Sequence, residues 1–281
     1  MQVLGLDVFD HFVRAVVLGD DGAIVRRLRV ETREATALFD DLAAGPPFDA
    51  VGVSTDSGDR GPLDHAIVRF AHFCRPGTAA VVAERWIGGA QGTQHAVSLS
   101  IGERVVAGLL LNGAPWTGAH GLAGSAAWLA LNPVERQDYR KFGSLAAEVS
   151  NKGIARRLAW RIQAGDHSAV LERAGDLEAI TAEHVFDGAR SGDGVSISVV
   201  RDTAKYIGMA VSNLASAMDP ECVVLGGAIA SAGDLLLEPV RQECARRLPP
   251  ALNDQFTLEI SPLGEMDIAA GAARLAMLAR A

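Results

Sequence analysis

Apolar residues fall in short blocks at the start of the chain. Residues 3–8 form one run, 12–18 a second and 23–30 a third, in which Ile24, Leu28 and Val30 share one face of a period-2 pattern. Asp20-Asp21-Gly22 marks a turn, so the three runs predict an antiparallel meander. Residues 32–44 carry Leu38, Leu42 and several alanines at helical spacing, with Thr32 as N-cap, and 49–54 reads as a compact buried strand. A similar order recurs: strands over 95–101 and 105–111, closed by Asn112-Gly113. Helices are predicted over 143–172, 177–186 and 195–218. The strand at 222–225 ends in Gly226-Gly227, followed by a helix over 233–247, a strand over 256–261 and a helix over 268–280. Two strand-meander-plus-helix units predict an internally duplicated α/β fold of two lobes with a central cleft. The turn-rich stretch 88–94 places the boundary between a shortened N-terminal lobe, 1–90, and a C-terminal lobe, 91–281.

Composition narrows the classes. With 281 residues, 49% of them hydrophobic, the chain has ample material for a core and does not read as disordered. Lys and Arg number 26 against 34 Asp and Glu, a balance that argues against a surface built to neutralise phosphates of nucleic acid. Cys74, Cys222 and Cys244 are widely spaced and make no disulfide framework, which fits a reducing compartment. Asp7 interrupts the first apolar run, unlike a signal peptide, and no apolar stretch approaches the length of a membrane span. The expectation is a soluble cytoplasmic protein.

Three segments carry a resemblance. Residues 217–236, AMDPECVVLGGAIASAGDLL, are similar to the adenosine-motif segment of the ROK family (repressors, open reading frames and sugar kinases). Residues 261–275, SPLGEMDIAAGAARL, resemble the same family's C-terminal end, and 99–124 resemble its second phosphate segment and the glycine-rich turn after it. The resemblance implies the actin-like ATPase (ribonuclease H-like) duplicated fold, ATP with Mg as cofactor, a sugar or other small-molecule ligand, and a homodimer formed through the C-terminal lobe. It places nucleotide binding at Asp7, Gly102, Gly226 and Gly227. Gly226-Gly227 suits that role because residues without Cβ let backbone amides approach a base or phosphate closely.

Against that pattern the chain departs at each chemical station. Active relatives open with Asp-x-Gly-Gly-Thr; here Asp7 is kept but Phe9, Asp10 and His11 follow, filling phosphate space with bulk and like charge. In the second phosphate segment Gly102 is followed by Glu103 and Arg104, and Val105-Val106 reads as a continuing strand. The Asn-Asp-Ala-Asn segment, whose Asp is the general base, corresponds to Arg75-Pro76-Gly77-Thr78, so the base position holds Pro76, which accepts no proton. The Gly-Glu-x-Gly-His segment corresponds to residues 124–128. Ser125 there stands for a sugar-binding Glu and Trp128 for a zinc-binding His, and 139–150 lacks the cysteines that complete the metal site. No structural zinc is expected, and Trp128 is expected to fill the vacated volume as core.

Other residues invite chemistry more weakly. Asp56 and Asp64, with Asp59, are candidates for a substitute base, and His65 and His72 lie seven apart on a predicted helix. Trp86 and Trp116 read as core or cleft wall. The first functional expectation is a degenerate sugar kinase-like protein, a pseudokinase with a ligand-binding or regulatory role. The alternatives are an active ATP-dependent sugar or amino-sugar kinase with a relocated base, and a ROK-type regulator without its own DNA-binding domain. Direct DNA binding and a membrane role are not expected.

Overall fold

The computed structural model describes residues 2–19, 21–60 and 63–280; Asp20 of the first turn motif lies outside them. The chain begins with strands β1 (Gln2–Phe9), β2 (Phe12–Gly19) and β3 (Ile24–Glu31). Helix α1 (Ala35–Ala44), strands β4 (Ala50–Ser54) and β5 (His72–Cys74), and helix α2 (Pro76–Ile87) follow. Then come strands β6 (Ala96–Ile101), β7 (Val105–Leu111) and β8 (Ala114–Pro115), and helices α3 (Gln137–Phe142), α4 (Ser144–Val149), α5 (Asn151–Gln163), α6 (Val170–Ala174), α7 (Ala182–Arg190) and α8 (Gly194–Met218). The last elements are β9 (Cys222–Gly226), α9 (Gly233–Arg247), α10 (Pro250–Asn253), β10 (Thr257–Ile260) and α11 (Asp267–Leu278). The strands make two five-stranded sheets, ordered β3-β2-β1-β4-β5 and β10-β9-β6-β7-β8. No helix of the described residues is long and apolar enough to cross a membrane.

The contacts divide the chain into two units. One comprises Met1–Ser98, Ala107–Gly124 and Ser261–Ala281; the other comprises Leu99–Val106 and Ser125–Ile260. The first unit is built on the β3-β2-β1-β4-β5 sheet, whose strands alternate side chains between two covered faces. Leu4, Leu6, Val13, Ala15 and Val17 point to one face, where Leu38, Phe39 and Leu42 of α1 cover them. Val3, Val16 and Leu18 point to the other, against Ala269, Ala270, Ala273 and Ala276 of α11 and Ala83 of α2. On that second face the layers approach to backbone contact. Gly5 and Gly52 are partners in the parallel β1–β4 register. A Cβ on Gly5 would lie 2.0 Å from the Ala269 carbonyl oxygen, and one on Gly52 only 1.8 Å from that of Ala272.

The meander, α8, α9 and the strand before Gly226 lie where the periodicity puts them. Thr32 does not cap α1: a 3-10 turn, Thr32–Glu34, precedes the helix, and the Thr32 hydroxyl donates to the Phe9 carbonyl at 3.0 Å. The predicted helix over 143–172 is three helices, broken where Ser150 adopts extended backbone and its hydroxyl accepts from the Gly153 amide to cap α5. The stretch 177–181 is not helical; Thr181 opens α7 with a capping box. His65 and His72 share no helix, since His65 precedes a single 3-10 turn and His72 starts β5.

Glu84 of α2 is fully buried in this unit, accepting from the Ser261 hydroxyl at 2.5 Å and the Gly89 amide at 2.8 Å. Burial outweighs those two hydrogen bonds and raises its carboxyl above the ordinary range. The native state therefore holds the proton more tightly than the unfolded chain does. The stabilisation is complete in acid and falls as pH rises above about 4.5, the unfolded value. Glu84→Gln keeps one acceptor and gains a donor, so its stability relative to wild type should climb between pH 5 and pH 8 in urea unfolding. A constant difference across that range would refute a buried, titrating Glu84.

Candidate functional site

Within the first unit, β1 and β2 are joined by the two-residue turn Asp10-His11, which is exposed. Two hydrogen bonds pin it: the Thr32 hydroxyl to the Phe9 carbonyl at 3.0 Å, and the Thr32 amide to the His11 carbonyl at 3.2 Å. The Phe9 ring packs on Phe12 with centroids 5.3 Å apart, and the Arg14 guanidinium lies 3.9 Å from the Phe12 centroid. Aromatic and guanidinium surface thus occupies the turn.

The tight turn sets the cross-strand register, pairing Phe9 with Phe12 and Asp7 with Arg14. Asp7 is fully buried, and its Oδ2 lies 3.6 Å from Arg14 Nη1. Arg14, itself buried, donates from Nε at 2.9 Å and from Nη2 at 2.6 Å to Glu265, which approaches Arg29 at 3.9 Å. Two acids and two bases alternate, so the built-in guanidinium offsets the Asp7 charge. Burial, with the Asp7 charge second, pushes the nearby Cys74 thiol up to about 12, so that thiol stays protonated and unreactive.

Pro76 sits at the first position of α2, where its missing N–H costs no helical hydrogen bond. It is buried, and a Cβ on the following Gly77 would stand 2.2 Å from the Ala107 carbonyl oxygen of β7. Proline and glycine here serve a helix start and a close helix–strand contact. Among the acids, Asp56, Asp59 and Asp64 are all exposed. Arg75 Nη1 donates to the Asp56 backbone carbonyl at 2.8 Å, the Ser57 hydroxyl donates to Asp59 at 2.7 Å, and Asp64 pairs with Arg60 at 3.7 Å. Trp86 is partly buried beneath the Arg274 guanidinium, 4.7 Å from its ring, whereas Trp116 is 48% exposed and is not core.

The second unit brings Gly102 and the Gly226-Gly227 step together. Gly226 ends β9, and Gly227 takes φ +76° with its α-carbon pressed on β6: a Cβ there would meet the Ile101 carbonyl oxygen at 2.5 Å and the Ile101 nitrogen at 2.7 Å. A Cβ on Gly102 would meet Ala228 at 3.4 Å. The Gly102 amide donates to the Arg104 carbonyl at 2.9 Å, and its carbonyl accepts from Asn151 at 2.9 Å. These backbone groups already answer one another, and β7 begins at Val105 as the sequence suggests.

Further along the same unit Ser125 is exposed and the 3-10 turn Ala126–Trp128 leaves Trp128 59% exposed, so Trp128 is not the core filler expected of it. The same unit holds a polar network that sequence reading missed. Glu148 of α4, only 2% exposed, accepts from the Tyr139 hydroxyl at 2.5 Å and from Arg136 Nη1 at 3.0 Å, and its Oε2 lies 3.8 Å from Arg157 Nε. Arg157 also donates to the Thr203 hydroxyl and to the Val199 carbonyl of α8. Burial raises the Tyr139 phenol and lowers the Arg157 guanidinium. The sequence signal was Glu148 and Arg157 nine residues apart across a cap, a spacing that helical periodicity alone does not flag.

Within the first unit the residues present do not fit a magnesium-held phosphate: the carboxylate that would approach the metal is buried against Arg14, and Phe9 and Phe12 flank the turn. They do not fit zinc either: no group of three or more His, Cys, Asp or Glu among the described residues could hold a metal ion, and Tyr139, Trp128 and Ser144 offer no thiolate or imidazole.

Comparison with known proteins agrees with the fold. The ROK family model matches residues 74–278. A glucokinase from Halalkalibacterium halodurans is 31% identical over 187 residues, covering 66% of this chain and 57% of its own length. The xylose repressor of Caldicellulosiruptor bescii is 24% identical over 196 residues, covering 69% of this chain and 48% of its own. The chain thus spans about half the length of such relatives. A ROK family glucokinase from Streptomyces griseus, solved with glucose and AMPPNP, superposes with TM-score 0.83 at 22% identity over 99% of this chain and all of that one. Its likeness places the two sheets in the actin-like ATPase fold.

Proposed function

Because the chain belongs to the ROK family, we propose that it is a sugar kinase-like protein that has kept the fold and lost phosphoryl transfer, acting through a bound small molecule in a regulatory or ligand-sensing role. The observation that carries this reading is the buried Asp7–Arg14–Glu265 chain. Phosphoryl transfer depends on positioning and on charge neutralisation at the phosphates by a metal. Here the carboxylate for that metal already faces an internal cation, and a dication brought against Arg14 would meet repulsion. Pro76 at the start of α2 supports the same reading by leaving no proton acceptor at that position. A sugar ligand and a homodimer belong to the proposal by relationship.

A second reading, active transfer with a relocated base, draws on one contact. Arg75, which precedes Pro76, donates to the Asp56 carbonyl and fixes the loop that carries that carboxylate.

One pair of measurements separates the two. Purified chain is titrated calorimetrically with ATP and Mg, then assayed for ADP release with glucose and other hexoses. The expected result is no turnover above the blank. Turnover on the order of 1–100 per second, the ordinary kinase range, would overturn the proposal; loss of that turnover in Asp56→Asn would establish the relocated base.

A further inference from the structure

The second unit holds a cavity of about 610 Å³ that the sugar and nucleotide segments do not use. It lies between two helix faces. Arg157, Trp160 and Arg161 come from α5, and Asp202, Lys205 and Tyr206 from α8, both sets at the three- and four-residue spacing that puts side chains on one helix face. Arg247, at the end of α9, and Arg136 complete a set of five basic side chains against two acids, Glu148 and Asp202. Asp166, paired with Arg161, and Glu243, paired with Arg247, bring the acids at this cavity to four, so its surroundings keep a formal excess of one positive charge inside a chain whose net charge is -8.

The cations are held ready. Arg161 is set by Asp166 at 2.5 Å and by the Ser198 hydroxyl at 2.9 Å. Lys205 is set by Asp202 at 3.2 Å. Arg157 Nε is buried without a hydrogen-bond acceptor among the described residues, the nearest carboxylate oxygen being 3.8 Å away on Glu148. A buried guanidinium N–H left short of an acceptor, beside a cavity whose bases outnumber its acids, suits an anionic oxygen. Trp160 lies under the Arg136 and Arg156 guanidinium groups, at 5.1 and 4.7 Å, so its indole borders the cations of the cavity.

We propose that this cavity binds a small phosphate-bearing molecule, with Arg157, Arg161 and Lys205 as its phosphate contacts. Guanidinium forks match phosphate oxygens two at a time, and basic side chains in excess of acids favour an anion. The volume is that of a small-molecule site. The proposal is independent of whether the chain transfers phosphate.

The probe is sodium pyrophosphate without magnesium, at ionic strength held constant with NaCl, followed by calorimetry and by tryptophan fluorescence. Saturable binding is expected, with a fluorescence change that Trp160→Phe removes while the calorimetric binding remains. The double variant Arg161→Gln, Lys205→Gln alters two partly exposed side chains and should keep its melting temperature while weakening binding roughly tenfold or more, as loss of charge-assisted hydrogen bonds implies. If the double variant fails to fold, each single change should weaken binding several-fold. A linear, salt-like response, unchanged affinity in these variants, or a fluorescence change retained in Trp160→Phe would overturn the site. Citrate binding as tightly as pyrophosphate would overturn the phosphate assignment.

Discussion

Gly52→Val should leave the first unit unable to fold, and Gly52→Ala should lower stability by about 3 kcal/mol, the upper end of ordinary overpacking costs. The reason is geometric. A Cβ on Gly52 would stand 1.8 Å from the Ala272 carbonyl oxygen and 2.3 Å from its carbon, both backbone atoms of α11 that no rotamer change can move. Gly5, its register partner, faces Ala269 in the same way, so α11 cannot slide along the sheet to relieve the clash. Gly194→Ala is the control. It opens α8 with nothing within 4 Å of a new Cβ and should be neutral or stabilising by up to about 1 kcal/mol. Urea unfolding of the three variants decides the matter; a Gly52→Ala protein as stable as wild type would mean that α11 does not pack at backbone contact.

Glu148→Ala should cost about 3–5 kcal/mol, the range for removing one partner of a buried ion pair. The change takes the carboxylate from both the Arg157 guanidinium and the buried Tyr139 hydroxyl. The cost arises from desolvated partners more than from the attraction lost, so the double variant Glu148→Leu, Arg157→Met should recover at least half of it. A single-variant loss below about 1 kcal/mol, well short of the buried-pair range, would show that Glu148 is hydrated. The network joins α3, α4, α5 and α8 in the stretch where the related family pattern calls for metal-binding cysteines. Hydrogen bonds and charge pairs here tie together helices that a metal would otherwise clamp.

Much of the fold was legible because its elements obey one period at a time. The β1–β3 meander, α8 and α9 are regular in sequence and regular in space. β5 and α2 escaped notice for local reasons: His72-Phe73-Cys74 is too short to show alternation, and Pro76-Gly77 looks like a break although proline at a first helical position starts α2. The Asp7–Arg14 pair was within reach, since a two-residue turn at residues 10 and 11 sets residue 7 opposite residue 14. Reading Phe9 and Asp10 as obstacles drew attention away from the strand beyond them. The role of Gly52 was not legible, because its contact lies far along the chain in a helix whose alanines carry no mark of the partner they will meet. Trp128 was misjudged because size suggests burial, whereas the 3-10 turn Ala126–Trp128 leaves it 59% exposed.

The interleaved path of the chain has a consequence for biosynthesis. The sheet of the first unit is made early, but the helix that covers its glycine face is made much later: Gly5 and Ala269 are 264 positions apart. At roughly 5–20 residues per second, Val3, Val16 and Leu18 wait on the order of 10–50 s for their cover. Through that interval the nascent chain presents an aliphatic, close-packing surface that invites chaperones or other nascent chains. A ribosome stalled before residue 261 would hold a chain that has both sheets but lacks α11, so its first unit cannot close.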